Sequence, residues 1–142
     1  MGNKKRLRDM TWEDYGISKY RYKELKAFCQ QYDEKKNKIQ YGLPSVKQDG
    51  MPKGSGPAGS PVEQQAIENT LYMRDIRMIE EAAVQTNPAI WKYILKSVTQ
   101  DLSYEFVMYD AELGRISVGK TEFYGYRRLF YDYLNKLKLG TN

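Results

Sequence analysis

Lys120, Tyr124, Arg127, Tyr131 and Lys138 recur at intervals of three, four and seven residues near the end of the chain. At roughly 100° per residue they fall on one side of a helix, with Arg128 and Asn135 at its edge. Cations interleaved with phenol rings suit a DNA backbone and groove. Arg and Lys neutralise phosphates, Arg also reads a guanine edge with two hydrogen bonds, and Tyr hydroxyls bond phosphate oxygens. In that use Lys120, Thr121 and Tyr124 reach base edges from the first helical turns, while Arg127, Arg128 and Tyr131 grip phosphates. Arg115, just upstream, is a further phosphate ligand. The same pattern is also what an ordinary solvated basic helix shows.

The elements expected to position these residues follow from periodicity. Phe123, Tyr126, Phe130, Leu134 and Leu137 fall on another side of the same helix, next to the cationic one, and tie it to a core. Ser117 is its expected N-cap. Upstream, Leu102 to Glu112 reads as a short helix with Leu102, Phe106 and Tyr109 on one side. A connection containing Gly114 follows. Helix, short turn and basic helix make the outline of a helix-turn-helix over about 102–139.

Here the residues resemble a family. Gly119-Lys120-Thr121-Glu122-Phe123-Tyr124-Gly125-Tyr126-Arg127-Arg128-Leu129-Phe130 is similar to the G-R-x-x-F-Y-x-x-R-R-x-F ending of small proteins from phages and prophages of Gram-positive bacteria. That ending resembles the recognition helix of ArpU/RinA-type phage transcriptional regulators and, more remotely, sigma-factor region four. Gly16-Ile17-Ser18-Lys19-Tyr20-Arg21-Tyr22-Lys23-Glu24-Leu25 and the turn Gly54-Ser55-Gly56 resemble the same group. The resemblance covers most of the chain and is specific in these short motifs. It implies sequence-specific binding of double-stranded DNA in the cytoplasm of a bacterial host, with RNA polymerase or another phage protein as a further partner.

Earlier elements are expected in order. Residues 1–17 form a basic arm. Ser18 caps a helix over 18–40 on which Tyr22, Leu25, Phe28, Cys29, Tyr32 and Ile39 make the apolar stripe. Residues 41–61 hold nine Gly and Pro and read as a loop. It lacks the Gly-Lys-Ser/Thr ending of a phosphate-binding loop. Residues 62–142 form a helical domain. Ser60-Pro61-Val62-Glu63 opens a helix to about Gln85 with a cap, a first-position proline and a capping-box glutamate. Asn87-Pro88 opens the next, the most apolar, carrying Ile90, Trp91, Ile94, Leu95 and Val98. No β pattern is expected, since Arg115 to Val118 is too short to count. The fold class is all-α: about five helices in a compact bundle with a C-terminal helix-turn-helix.

Composition excludes several functions. There is no His, so histidine-dependent acid–base or triad catalysis is absent. One Cys cannot make an intrachain disulfide or a Cys/His zinc site, and Cys29 on an apolar stripe reads as an inert thiol. No enzyme activity, metal or cofactor is expected, and neither is a signal segment or membrane span. Net charge is +5 in 142 residues. Residues 1–60 carry thirteen Lys/Arg against seven Asp/Glu, residues 61–112 four against nine, and residues 113–142 six against two. Basic ends around an acidic middle fit a DNA binder with one face turned away. Two alternatives compete. A phage small terminase subunit would use the same basic helix in a homo-oligomeric ring. A protein-binding module would use the acidic middle and the thirteen Tyr residues.

Overall fold

The computed structural model describes residues 5–41 and 61–140; residues 42–60 of the expected 41–61 loop, with the Ser60 cap, and the first four residues of the arm lie outside them, while Tyr41 and Pro61 belong to helices. The protein is all-α, with one two-stranded hairpin among the described residues. A 3-10 turn at Leu7–Asp9 leads to α1 (Lys19–Gln30), α2 (Tyr32–Tyr41), α3 (Pro61–Thr86), α4 (Trp91–Gln100) and α5 (Tyr104–Val107). The strands β1 (Tyr109–Asp110) and β2 (Gly114–Arg115) follow, then α6 (Lys120–Leu139).

Ser18 caps α1 by accepting the Arg21 N–H at 3.1 Å. The single helix expected over 18–40 is interrupted at Gln31, where φ −90° and ψ 1° leave the helical region. The interruption turns Tyr32 inward, where its hydroxyl bonds the Glu80 carboxylate of α3. It also sets Lys35, itself buried, 2.8 Å from Asp75 of α3. No Gly or Pro marks the break. Asn87 caps a turn rather than a helix: its Oδ1 accepts the Ala89 N–H at 2.8 Å, and α4 starts at Trp91.

The core is built on α6. Phe123, Phe130 and Leu134 are fully buried and share one side, where they meet Ile79, Ala82 and Ala83 of α3 and Ile94 and Val98 of α4. Each such side chain contributes roughly 1.5–3 kcal/mol when buried. Gly125 and Asp132 are also buried, about 180° away around the helix axis. There the N-terminal segment crosses α6. A Cβ on Gly125 would stand 2.9 Å from the Arg8 Cα, so only glycine admits the approach. Arg128 fastens the same segment, donating from Nε to the Met10 carbonyl at 2.8 Å and from Nη2 to the Arg8 carbonyl at 3.0 Å. A helix packed on opposite sides is a central element.

The helix expected from Leu102 to Glu112 shrinks to the single turn of α5. Asp110 ends it by accepting the Glu112 and Leu113 N–H groups at 2.7 and 2.9 Å, a local turn that competes with helix. Gly114 follows at φ +85°. The Tyr93 hydroxyl of α4 shares its proton between the Leu113 and Gly114 carbonyls at 3.0 and 2.9 Å. A hairpin therefore forms where no β structure was expected, pairing Tyr109 with Arg115 and Asp110 with Gly114. Tyr104 and Val107 face the core, whereas Phe106 and Tyr109, expected on one side of that helix with Leu102, are 70% and 65% exposed. One helical turn and a hairpin stand where a helix and a tight turn were expected. The helix-turn-helix outline is not what precedes α6.

Candidate nucleic-acid interface

Three elements meet at the N-terminal end of α6. The Tyr104 hydroxyl of α5 donates to the Val118 carbonyl at 2.9 Å, and the Tyr104 N–H donates to the Tyr124 hydroxyl at 2.9 Å. The Ile116 N–H donates to the Met108 carbonyl at 2.7 Å, closing the hairpin against α5. Lys120 pairs with Glu105 of α5 at 2.7 Å. That carboxylate raises the Lys120 ammonium above its ordinary value, and Lys120 in turn holds Glu105 below its own. The cap of α6 is Gly119, which makes no side-chain bond; Ser117, expected in that role, lies exposed ahead of it. The first-turn N–H groups therefore receive no acceptor from the cap residue, and they carry the positive end of the helix dipole.

Arg115, Lys120 and Thr121 are exposed on this corner. The other residues assigned to DNA are turned inward. Tyr131 is fully buried, and its hydroxyl has no partner, so it cannot bond a phosphate in this arrangement. Burial pushes its phenol well above the ordinary value. The Arg127 side chain is 14% exposed and its nearest carboxylate is Asp101 at 3.9 Å. Arg128 is committed to the two carbonyls of the N-terminal segment. Tyr124 is half-buried, edge-on to Phe123.

The reason is that α1 and Trp12 cover the cationic side of α6. Tyr22 meets Tyr131 edge-on at 5.2 Å, and Trp12 lies 5.9 Å from the same ring. Arg21 donates to the Asn135 Oδ1 at 2.6 Å. Lys138 sits 3.7 Å over the Phe28 ring, with Lys35 at 4.4 Å from the same ring. Aromatic faces accept such cations as packing partners, so charge on a helix wheel did not mean exposure.

Sequence reasoning missed two features. Phe106 and Tyr109, grouped with Leu102 on one helix side, both stand exposed, and Tyr109 pairs across the hairpin from Arg115. Gly125, in the middle of a 20-residue helix, was the available signal that another backbone comes close. Cys29 is fully buried and burial raises its thiol far above the ordinary value, so it is a packing residue. Among the described residues no three His, Cys, Asp or Glu stand close enough to hold a metal ion. No described helix is long and apolar enough to cross a membrane. Comparison with family models, with curated proteins and with solved structures finds no match to this chain.

Proposed function

We propose that this chain binds double-stranded DNA, as a transcriptional regulator of the phage ArpU/RinA-like kind, through the corner of α5, the hairpin and the start of α6. One observation carries the reading: Lys120 and Thr121, with Arg115 a few residues upstream in β2, are exposed where α6 begins, at an N-terminus whose cap supplies no side-chain acceptor. Such an end attracts phosphate through both its N–H groups and its dipole. Lys120 must exchange Glu105 for a phosphate, and an exposed pair of this kind is held only weakly against water. Tyr109, paired across the hairpin from Arg115, offers a ring and a hydroxyl to the backbone. The broad side of α6 takes no part, because α1 covers it.

Fluorescence anisotropy on random duplex and on the late-promoter DNA of the phage of origin tests this. Steep salt dependence with preference for the promoter is the expected result. No binding at low salt overturns it. A second reading is favoured by the exposed rings of Phe106 and Tyr109: the same corner docks a protein such as a polymerase subunit. That reading predicts a partner whose binding survives high salt and is lost in Phe106→Ala.

A further inference from the structure

The N-terminal segment, α1 and α6 enclose a hollow of about 190 Å3 lined by Trp12, Tyr22, Tyr124, Arg127 and Arg128. Three of its five residues are aromatic and two are guanidinium. Trp12 and Tyr22 lie 4.5 Å apart with their planes 40° apart. Arg127 lies 6.0 Å from the centre of the Tyr124 ring.

The charge in this hollow is under-compensated. Arg128 bonds only uncharged carbonyls, and no carboxylate pairs with it among the described residues. Arg127 has Asp101 at 3.9 Å, beyond hydrogen-bond distance, and Lys26 competes for that carboxylate from 3.5 Å. The Nε of Arg127 is buried without a partner. Other described cations, such as Lys5, Arg8 and Lys96, each have a carboxylate within 4 Å. Two guanidiniums in a recess with so little negative charge call for an anion. Arg128 holds the N-terminal segment through Nε and Nη2 and has Nη1 left to offer, so the planar fork that matches an oxoanion with two parallel bonds is that of Arg127. The rings call for a flat partner. The volume is below the ~300–1,000 Å3 of a site for a larger organic ligand, so it seats one flat ring system with a charged group at the mouth.

We propose that this hollow binds a nucleotide, with the base among Trp12, Tyr22 and Tyr124 and the phosphate on Arg127 and Arg128. The nucleotide comes either free or as an unpaired residue of a nucleic-acid strand. The site is separate from the hairpin corner and does not rest on duplex binding there.

Trp12 reports on its own site. The chain has two Trp residues, and Trp91→Phe removes the other, on α4. Full-length Trp91→Phe protein is titrated with adenosine monophosphate, thymidine monophosphate, adenosine, inorganic phosphate and a short oligothymidylate. The expected result is saturable quenching by the mononucleotides, with adenosine and phosphate each weaker by about tenfold or more. Arg127→Lys, which keeps the charge and loses the fork, weakens the mononucleotides by about tenfold. Tighter binding of the oligonucleotide than of the mononucleotide identifies a strand as the source, and equal binding identifies the free nucleotide. Absence of saturable quenching by any nucleotide at millimolar concentration overturns the proposal, as does inorganic phosphate binding as well as the mononucleotides. An Arg115→Ala/Lys120→Ala protein keeps the quenching. Duplex binding that fails while quenching persists counts against the corner alone.

Discussion

Gly125→Ala tests whether α6 is clamped from the N-terminal side. The added methyl would lie 2.9 Å from the Arg8 Cα, 3.2 Å from the Arg8 nitrogen and 3.2 Å from the Leu7 carbonyl oxygen. All three are backbone atoms, so no side-chain rotation relieves the clash. Overpacking of this kind costs ~1–3 kcal/mol, whereas Ala gains ~1 kcal/mol over Gly inside a helix. If the segment instead lifts away, the two hydrogen bonds from Arg128 are lost, each worth ~1.5–3 kcal/mol for a charged donor. The cheaper route leaves a net loss of up to about 2 kcal/mol. For a chain of this size that lowers Tm by up to roughly 8 °C. Two assays read the result: thermal unfolding by circular dichroism, and the rate of tryptic cleavage after Arg8, which rises as the segment loosens. A Gly125→Ala protein of equal or higher Tm, with unchanged cleavage at Arg8, refutes the clamp.

Three other outcomes are expected. Asp75→Ala leaves Lys35 enclosed without its carboxylate and destabilises by about 3 kcal/mol, the low end for a broken buried pair because the two side chains are still 10% and 18% exposed; a urea midpoint unchanged from wild type would contradict this. Burial raises the phenols of Tyr131 and Tyr32 and the thiol of Cys29 in the folded chain, while the unfolded groups ionise near their ordinary 10.0 and 9.0. Folded values above unfolded ones mean that this stability is complete below pH 9.0 and is lost as pH rises through and beyond 10.0. Urea midpoints that fall steeply over that window, and less steeply in Tyr131→Phe, check the assignment; a flat profile goes against it. Tyr93→Phe frees the Leu113 and Gly114 carbonyls and loosens the hairpin, which faster amide exchange at Ile116 would register.

The helices themselves were largely legible. Ser18, Pro61 and the apolar spacing of α3, α4 and α6 are local signals, and local chemistry sets those elements. What covers a helix is not local. The side of α6 bearing Arg127, Tyr131 and Lys138 looked wet because wheels assign charge to solvent. In the fold, Trp12, Tyr22 and Phe28 turn it into an aromatic–cation seam. The rings that build the seam lie about a hundred residues away in sequence, beyond any periodicity. The hairpin was missed for a related reason. Asp110 and Gly114 signal a turn, but the pairing is held by the Tyr93 hydroxyl from another helix. The break at Gln31 also has a distant cause, the carboxylates of Glu80 and Asp75 on α3. Of the residues assigned to DNA, Arg115, Lys120 and Thr121 are exposed because they sit ahead of the seam, where α6 begins.

The central claim is that any duplex is met by the end of α6 and the hairpin, with its broad side sealed. The salt dependence of duplex binding tests this most directly, measured by anisotropy on wild type, Arg115→Ala/Lys120→Ala and Arg127→Ala, each shown to be folded. The double variant is expected to flatten the slope of log K against log salt by about one to two units, while Arg127→Ala leaves it unchanged. A flattened slope in Arg127→Ala with the double variant unchanged would contradict it, and would mean that α1 leaves α6 when DNA binds.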